Sequence, residues 1–110
     1  MRVHPSQLDH EVTVIEVEDG DCGPLVDLLA TRGLGFALLG VEPKTVVIDR
    51  RILRRGRTQH HLLAIEAHEI GHHNKGTDER EADLEGIRIL RAQNQRMAAR
   101  LLKNRLVSDI

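Results

Sequence analysis

Polar and apolar residues alternate through Glu11-Val12-Thr13-Val14-Ile15-Glu16-Val17-Glu18, several of them β-branched, and Asp19-Gly20-Asp21 follows as a turn. The pattern predicts a strand over residues 11–18. Leu25, Val26, Leu28 and Leu29 come next behind Pro24, a residue favoured in the first turn of a helix, and Gly33 stands where a helix C-terminus can use it. A short helix over 24–32 is expected. Phe36-Ala37-Leu38-Leu39 and Thr45-Val46-Val47-Ile48-Asp49 are apolar runs bounded by Gly40, Pro43 and arginines, which predicts two more strands. From Thr58 to His73, Leu62, Leu63, Ile65, Ala67 and Ile70 recur with no proline and no glycine before Gly71, so a helix of about four turns should form with Thr58 as its N-cap. Thr77 is placed to cap a further helix whose acids crowd the first turn, where the helix dipole favours them, and which runs through Leu90 or beyond. Residues 91–110 also read as helical, with Met97, Leu101 and Leu102 forming an apolar stripe that should dock on the body of the domain. The expected architecture is α+β: one domain over 1–110, a short mixed sheet packed on a central helix and the helix after it, and a helical C-terminus.

With Phe36 as the one aromatic among Phe, Tyr and Trp, the core must be aliphatic, and no phenol or indole can serve a site. At 110 residues the chain can build one core. No run approaches the ~18 apolar residues of a membrane span, so no membrane partner is expected. The opening Met1-Arg2-Val3-His4-Pro5-Ser6-Gln7 does not read as a secretory signal, and the lone Cys22 allows no internal disulfide. Both point to the cytoplasm, with assembly into a larger particle left open. Cys22 itself reads as packing near a helix start. The net charge of -1 exerts no overall pull toward nucleic acid. Acids gather in residues 1–21 and arginines at Arg50, Arg51, Arg54, Arg55 and Arg57; without interleaved aromatics these read as solvated faces.

His68-Glu69-Ile70-Gly71-His72 places two histidines four apart, hence ~40° apart around a helix and ~6 Å along it, so both imidazoles can reach one ion. Zinc suits such nitrogen ligands, and a catalytic zinc needs three protein ligands and an open fourth position. Glu69, on the adjoining edge of that face, is placed to act as general base toward water. With seven His in the chain the motif would arise by chance about 3 to 4% of the time, so a third ligand must be sought. Glu79 and Asp83 share one helical stripe: Glu79 can bind the ion, and Asp83 can hold a ligand histidine through its other ring nitrogen.

H-E-x-x-H followed by E-x-x-A-D resembles the gluzincin metallopeptidases, in particular minimal forms and the ImmA/IrrE-like group, over roughly residues 45–90. The resemblance implies Glu79 as third zinc ligand and Asp83 as its support. It also likens Val46-Val47-Ile48-Asp49 to the strand that forms the upper rim of the cleft, where an extended substrate pairs. The chain departs from most such enzymes in its link of six residues between His72 and Glu79. The residues also leave Asp78 open as third ligand, since it stands where metzincins of the form H-E-x-x-H-x-x-G-x-x-H carry their last ligand. Lys75 there replaces the glycine, however, and Glu81 is a further rival.

The function expected is a zinc-dependent endopeptidase acting on a protein or peptide substrate. Alternatives are a non-catalytic or latent binding module of the same fold and a regulatory protease with one partner protein. His61, ~10 Å along the helix from His68, is too far to share the ion and is a candidate to stabilise the oxyanion or contact substrate, as are Arg54, Arg55 and Arg57. A latent form would have the basic tail drawn into a cleft rimmed by Glu81 and Glu85.

Overall fold

A computed structural model describes residues 1–108, with side chains described through Arg105; the helical expectation for 109 and 110 lies outside the described residues. The fold is α+β. Four strands, β1 (Arg2–Pro5), β2 (Thr13–Val17), β3 (Gly35–Leu38) and β4 (Thr45–Asp49), form one mixed sheet in the order β1-β2-β4-β3. β1 runs antiparallel to β2, β2 parallel to β4, and β3 antiparallel to β4. Four helices accompany it: α1 (Pro24–Arg32), α2 (Gln59–Lys75), α3 (Glu79–Ala92) and α4 (Arg96–Ser108). No helix among the described residues is long and apolar enough to cross a membrane.

Side-chain alternation divides the sheet between two apolar layers. Val14, Val46 and Ile48 point into the larger layer with Leu62, Ala67 and Ile70 of α2, Leu90 of α3 and Leu102 of α4. Val17, Phe36 and Val47 point the other way and are covered by Leu29 of α1. All five residues of β4 are buried, as befits a strand with a neighbour on each side and helices on both faces. α2 is the central helix, buried almost continuously from Leu62 to His72. α4 lays Ala98, Ala99 and Leu102 on the body of the domain with Leu101 partly buried beside them, whereas Met97 of the expected stripe is exposed.

Several local expectations are corrected. β1 went unread because four residues ending in proline leave no period to detect. Asp78, not Thr77, caps α3: its carboxylate accepts from the Glu81 backbone N–H at 2.9 Å. The C-terminal helix is broken at residues 93–95, where Asn94 takes a φ of 60°. Cys22 is exposed instead of packed at the start of α1. The basic run forms a 3-10 turn at Arg50–Arg55: Arg50 lies 3.4 Å from Glu16, Arg54 2.8 Å from Asp19 and Arg51 2.8 Å from Asp49, while Arg54, Arg55 and Arg57 are exposed as a solvated face.

Glu85 ties α3 to the end of α2. It accepts from Arg88 at 2.6 and 2.9 Å and from Asn74 at 2.9 Å. The Arg88 guanidinium, helped by the Asn74 amide, holds its carboxyl down to about 2. A carboxyl depressed on folding stabilises fully above its unfolded value of ~4.3 and loses that contribution as pH falls toward about 2. Glu85→Gln is therefore expected to destabilise by ~1 to 2 kcal/mol at pH 7, with the gap to wild type closing by pH 2 in urea titrations. A constant gap across that window would assign the effect to packing instead.

Candidate metal centre

α2 and α3 pack with almost no side chain between their backbones. A Cβ at Gly71 would stand 2.3 Å from the Ala82 carbonyl oxygen, and one at Gly86 3.0 Å from that of Ala67. As the contact steps back four residues on α2 it steps forward four on α3, so the helices are antiparallel. The short link permits this because Gly76, at φ 90°, ends α2 and Asp78 starts α3 two residues later. Close approach carries Asp83 to His68, and Glu79 across both histidines.

The His68 Nδ1–H donates to Asp83 Oδ1 at 2.6 Å, and the His72 Nδ1–H donates to the Gly76 carbonyl at 2.7 Å. A carbonyl or carboxylate accepts only, so both protons sit on Nδ1 and each ring turns a bare Nε2 inward. These two nitrogens lie 3.1 Å apart. Glu79 completes the triangle, with Oε2 2.9 Å from the His68 Nε2 and Oε1 3.2 Å from the His72 Nε2. Three sets of lone pairs facing one another at such distances repel unless a cation lies among them. Ligand atoms ~2.0 to 2.1 Å from a tetrahedral ion stand ~3.3 Å apart, close to what is found here. The donor set therefore fits a zinc-like ion.

His68, Glu69 and His72 also offer ligand atoms within 4.8 Å of one another and could hold an ion by themselves. Yet the Glu69 carboxylate is 4.0 Å from the His68 Nε2, farther than either oxygen of Glu79 is from its histidine. The geometry thus brings the Glu79 carboxylate closer to the two histidine Nε2 atoms than that of Glu69, which stands just behind them. Burial pushes the Glu69 carboxyl up to about 7 and pushes the His68 imidazole down; a cation in the site opposes the first effect by favouring the carboxylate. Asp78, spent on capping α3, is not part of the cluster.

These groups line a cleft of about 400 Å³ whose other wall is β3 and the loop before it. Gly35 is required there, because a Cβ would meet Ile65 at 2.7 Å and Val47 O at 3.1 Å, with Glu69 just behind at 3.5 Å. The strand over Val46–Asp49 is not the rim: β4 is paired on both sides, and the open edge beside the site belongs to β3. His61 is not in the cleft either. It sits in the first turn of α2, where its Nδ1 accepts from the Thr58 backbone N–H at 3.0 Å and so closes the cap. Arg54, Arg55, Arg57, Glu81 and Glu85 do not line the cleft. Arg32 at the end of α1 went unread as a cleft residue, and Arg105, read only as one base of the C-terminal helix, reaches in from α4 to 3.6 Å from Glu79 and 3.9 Å from Asp83. The basic stripe of α4 was visible, but which cation faces the cleft depends on how that helix docks. No protein-family model, curated protein or solved structure matches the chain.

Proposed function

We propose that this protein is a zinc-dependent endopeptidase of gluzincin type that hydrolyses bonds within proteins or peptides. The observation that carries this reading is the triangle of His68 Nε2, His72 Nε2 and the Glu79 carboxylate, 2.9 to 3.2 Å on a side, with the Glu69 carboxylate next to it in an open cleft. Held by His68, His72 and Glu79, zinc supplies a Lewis acid that polarises a carbonyl and lowers the pKa of water. Glu69 takes the proton from the attacking water and passes it to the leaving nitrogen. Asp83 and the Gly76 carbonyl fix the two imidazoles in the tautomer that leaves Nε2 free. The open edge of β3 offers backbone donors and acceptors to an extended substrate, which adds to the sheet as a further strand. The exposed, unpaired Cys22 is compatible with a cytoplasmic setting.

The test is metal analysis of the purified protein joined to cleavage of a broad peptide set. One equivalent of zinc, with hydrolysis abolished by a chelator and restored by zinc, supports the reading; a fully loaded protein that cleaves nothing overturns it. Ligand assignment has its own test. Glu79→Ala should lose zinc, whereas Asp78→Ala should keep it and lose only ~1 kcal/mol of helix cap. Asp83→Asn should weaken zinc affinity by ~10 to 100-fold. The reverse result for the pair at 78 and 79, read by metal titration, would move the third ligand to Asp78.

A further inference from the structure

Besides the histidines, the charged side chains lining the cleft are Glu69, Glu79, Arg32 and Arg105. On the peptidase reading, Glu79 belongs to the ion and Glu69 to the water, which leaves the two arginines as the charges a substrate meets. Neither has a carboxylate as close as several of the chain's other arginines have, although Arg105 forms two long ion pairs. Arg50, Arg51, Arg54 and Arg88 each stand against a carboxylate within 3.4 Å. Arg32, exposed in the last turn of α1, has no hydrogen-bond or ion-pair partner among the described residues. Arg105 is half exposed and stays 3.6 and 3.9 Å from Glu79 and Asp83, beyond ordinary hydrogen-bond length, so its donors remain available. With a divalent cation in place, the ion and two guanidinium groups outweigh the carboxylates of Glu69, Glu79 and Asp83. Leu34 and Leu39, both exposed, add apolar surface to the same cleft.

We propose that the cleft selects anionic peptides: extended segments in which an apolar stretch is flanked by Asp or Glu, with Arg32 and Arg105 as the residues that determine this specificity. The inference rests on the peptidase reading and names its substrate class. Arg32 lies three residues before β3, so it meets a side chain carried beside the start of that strand. A guanidinium engages a carboxylate through two parallel hydrogen bonds and repels an ammonium, so opposite substrate charges should separate widely in affinity.

The test uses zinc-loaded Glu69→Gln, in which binding is read without turnover. Three fluorescein-labelled nonapeptide pools share an apolar centre of Leu, Val and Ala and carry Glu, Gln or Lys at the flanking positions. Fluorescence anisotropy should show the Glu pool binding at least ~10-fold tighter than the Lys pool, with the gap narrowing as salt is raised. Adding Arg32→Glu should close or reverse the gap, and Arg105→Gln should shrink it several-fold at equal zinc content. Arg32→Gln serves as the milder variant, with circular dichroism checking the fold of each. Pools that bind within about twofold of one another, or a gap that survives both arginine replacements, would overturn the proposal. Wild-type turnover separates the two claims. Preferential binding of the Glu pool with no cleavage of any pool ends the peptidase reading and leaves the anionic specificity standing. Equal kcat/KM on the Glu and Lys pools does the opposite.

Discussion

Replacing Glu69 by Gln is expected to slow peptide hydrolysis by at least ~100-fold while the protein still takes up one zinc ion and unfolds cooperatively. The amide keeps the shape of the side chain and loses the ability to accept a proton from water. Glu69 is 7% exposed and, without an ion, sits in surroundings that raise its carboxyl to about 7. A neutral amide does not carry that desolvation cost, so the metal-free variant should be no less stable than wild type. Steady-state kinetics, zinc content and thermal melts on the same preparations check all three. A variant that keeps more than about a tenth of the wild-type rate would remove Glu69 as general base.

The second large effect is expected at Gly71. Helix propensity alone says that Ala should stabilise the middle of α2 by up to ~1 kcal/mol over Gly. The crossing with α3 says the opposite, because the added carbon would fall 2.3 Å from a backbone oxygen that no rotamer change can move aside. Gly71→Ala should therefore destabilise by ~1 to 3 kcal/mol, and Gly71→Val by more. Separation of the helices also withdraws Asp83 from His68 and Glu79 from both rings, so zinc affinity should fall at least ~10-fold with every ligand intact. The sign of the stability change is decisive: a stabilised Gly71→Ala would mean that α3 does not lie where it is described.

The centre was legible in the sequence where its geometry is helical and local. Spacings of four place His68 with His72 and Glu79 with Asp83 whatever the rest of the fold does, and bringing Glu79 to the histidines needed only a short reversal between them. α1 and β4 were likewise readable to the residue, from Pro24 and Gly33 around one and turn residues around the other. What was not legible is set by distant parts of the chain. The order of strands in the sheet decides which edge stays open, and the likeness of 46–49 to a rim strand pointed to the wrong one. Composition held a warning: apolar residues on both faces suit an interior strand. His61 three residues after Thr58 has the spacing of a capping box with an imidazole in place of a carboxylate, a local role passed over for a catalytic one. Arg105 lies 22 residues beyond Asp83, and only the docking of α4 brings it to the cleft.

The open edge of β3 also bears on how a target would be chosen. Gly35–Leu38 is four residues long, which at about 3.3 Å per residue gives about 13 Å of free backbone. A segment already in the interior of a helix or sheet has no unpaired N–H and C=O groups to lay along that edge, and its bulk does not enter a groove backed by α2. Only chain that has come away from its own fold can be read. For a protein proposed to cleave at this site, discrimination between targets begins before any side chain is recognised, in the free energy each target needs to release a few residues. When opening is fast compared with cleavage, the half-life of a target scales with that local opening equilibrium, and a mutation that frays a loop in the target changes its fate as surely as one at the cut site.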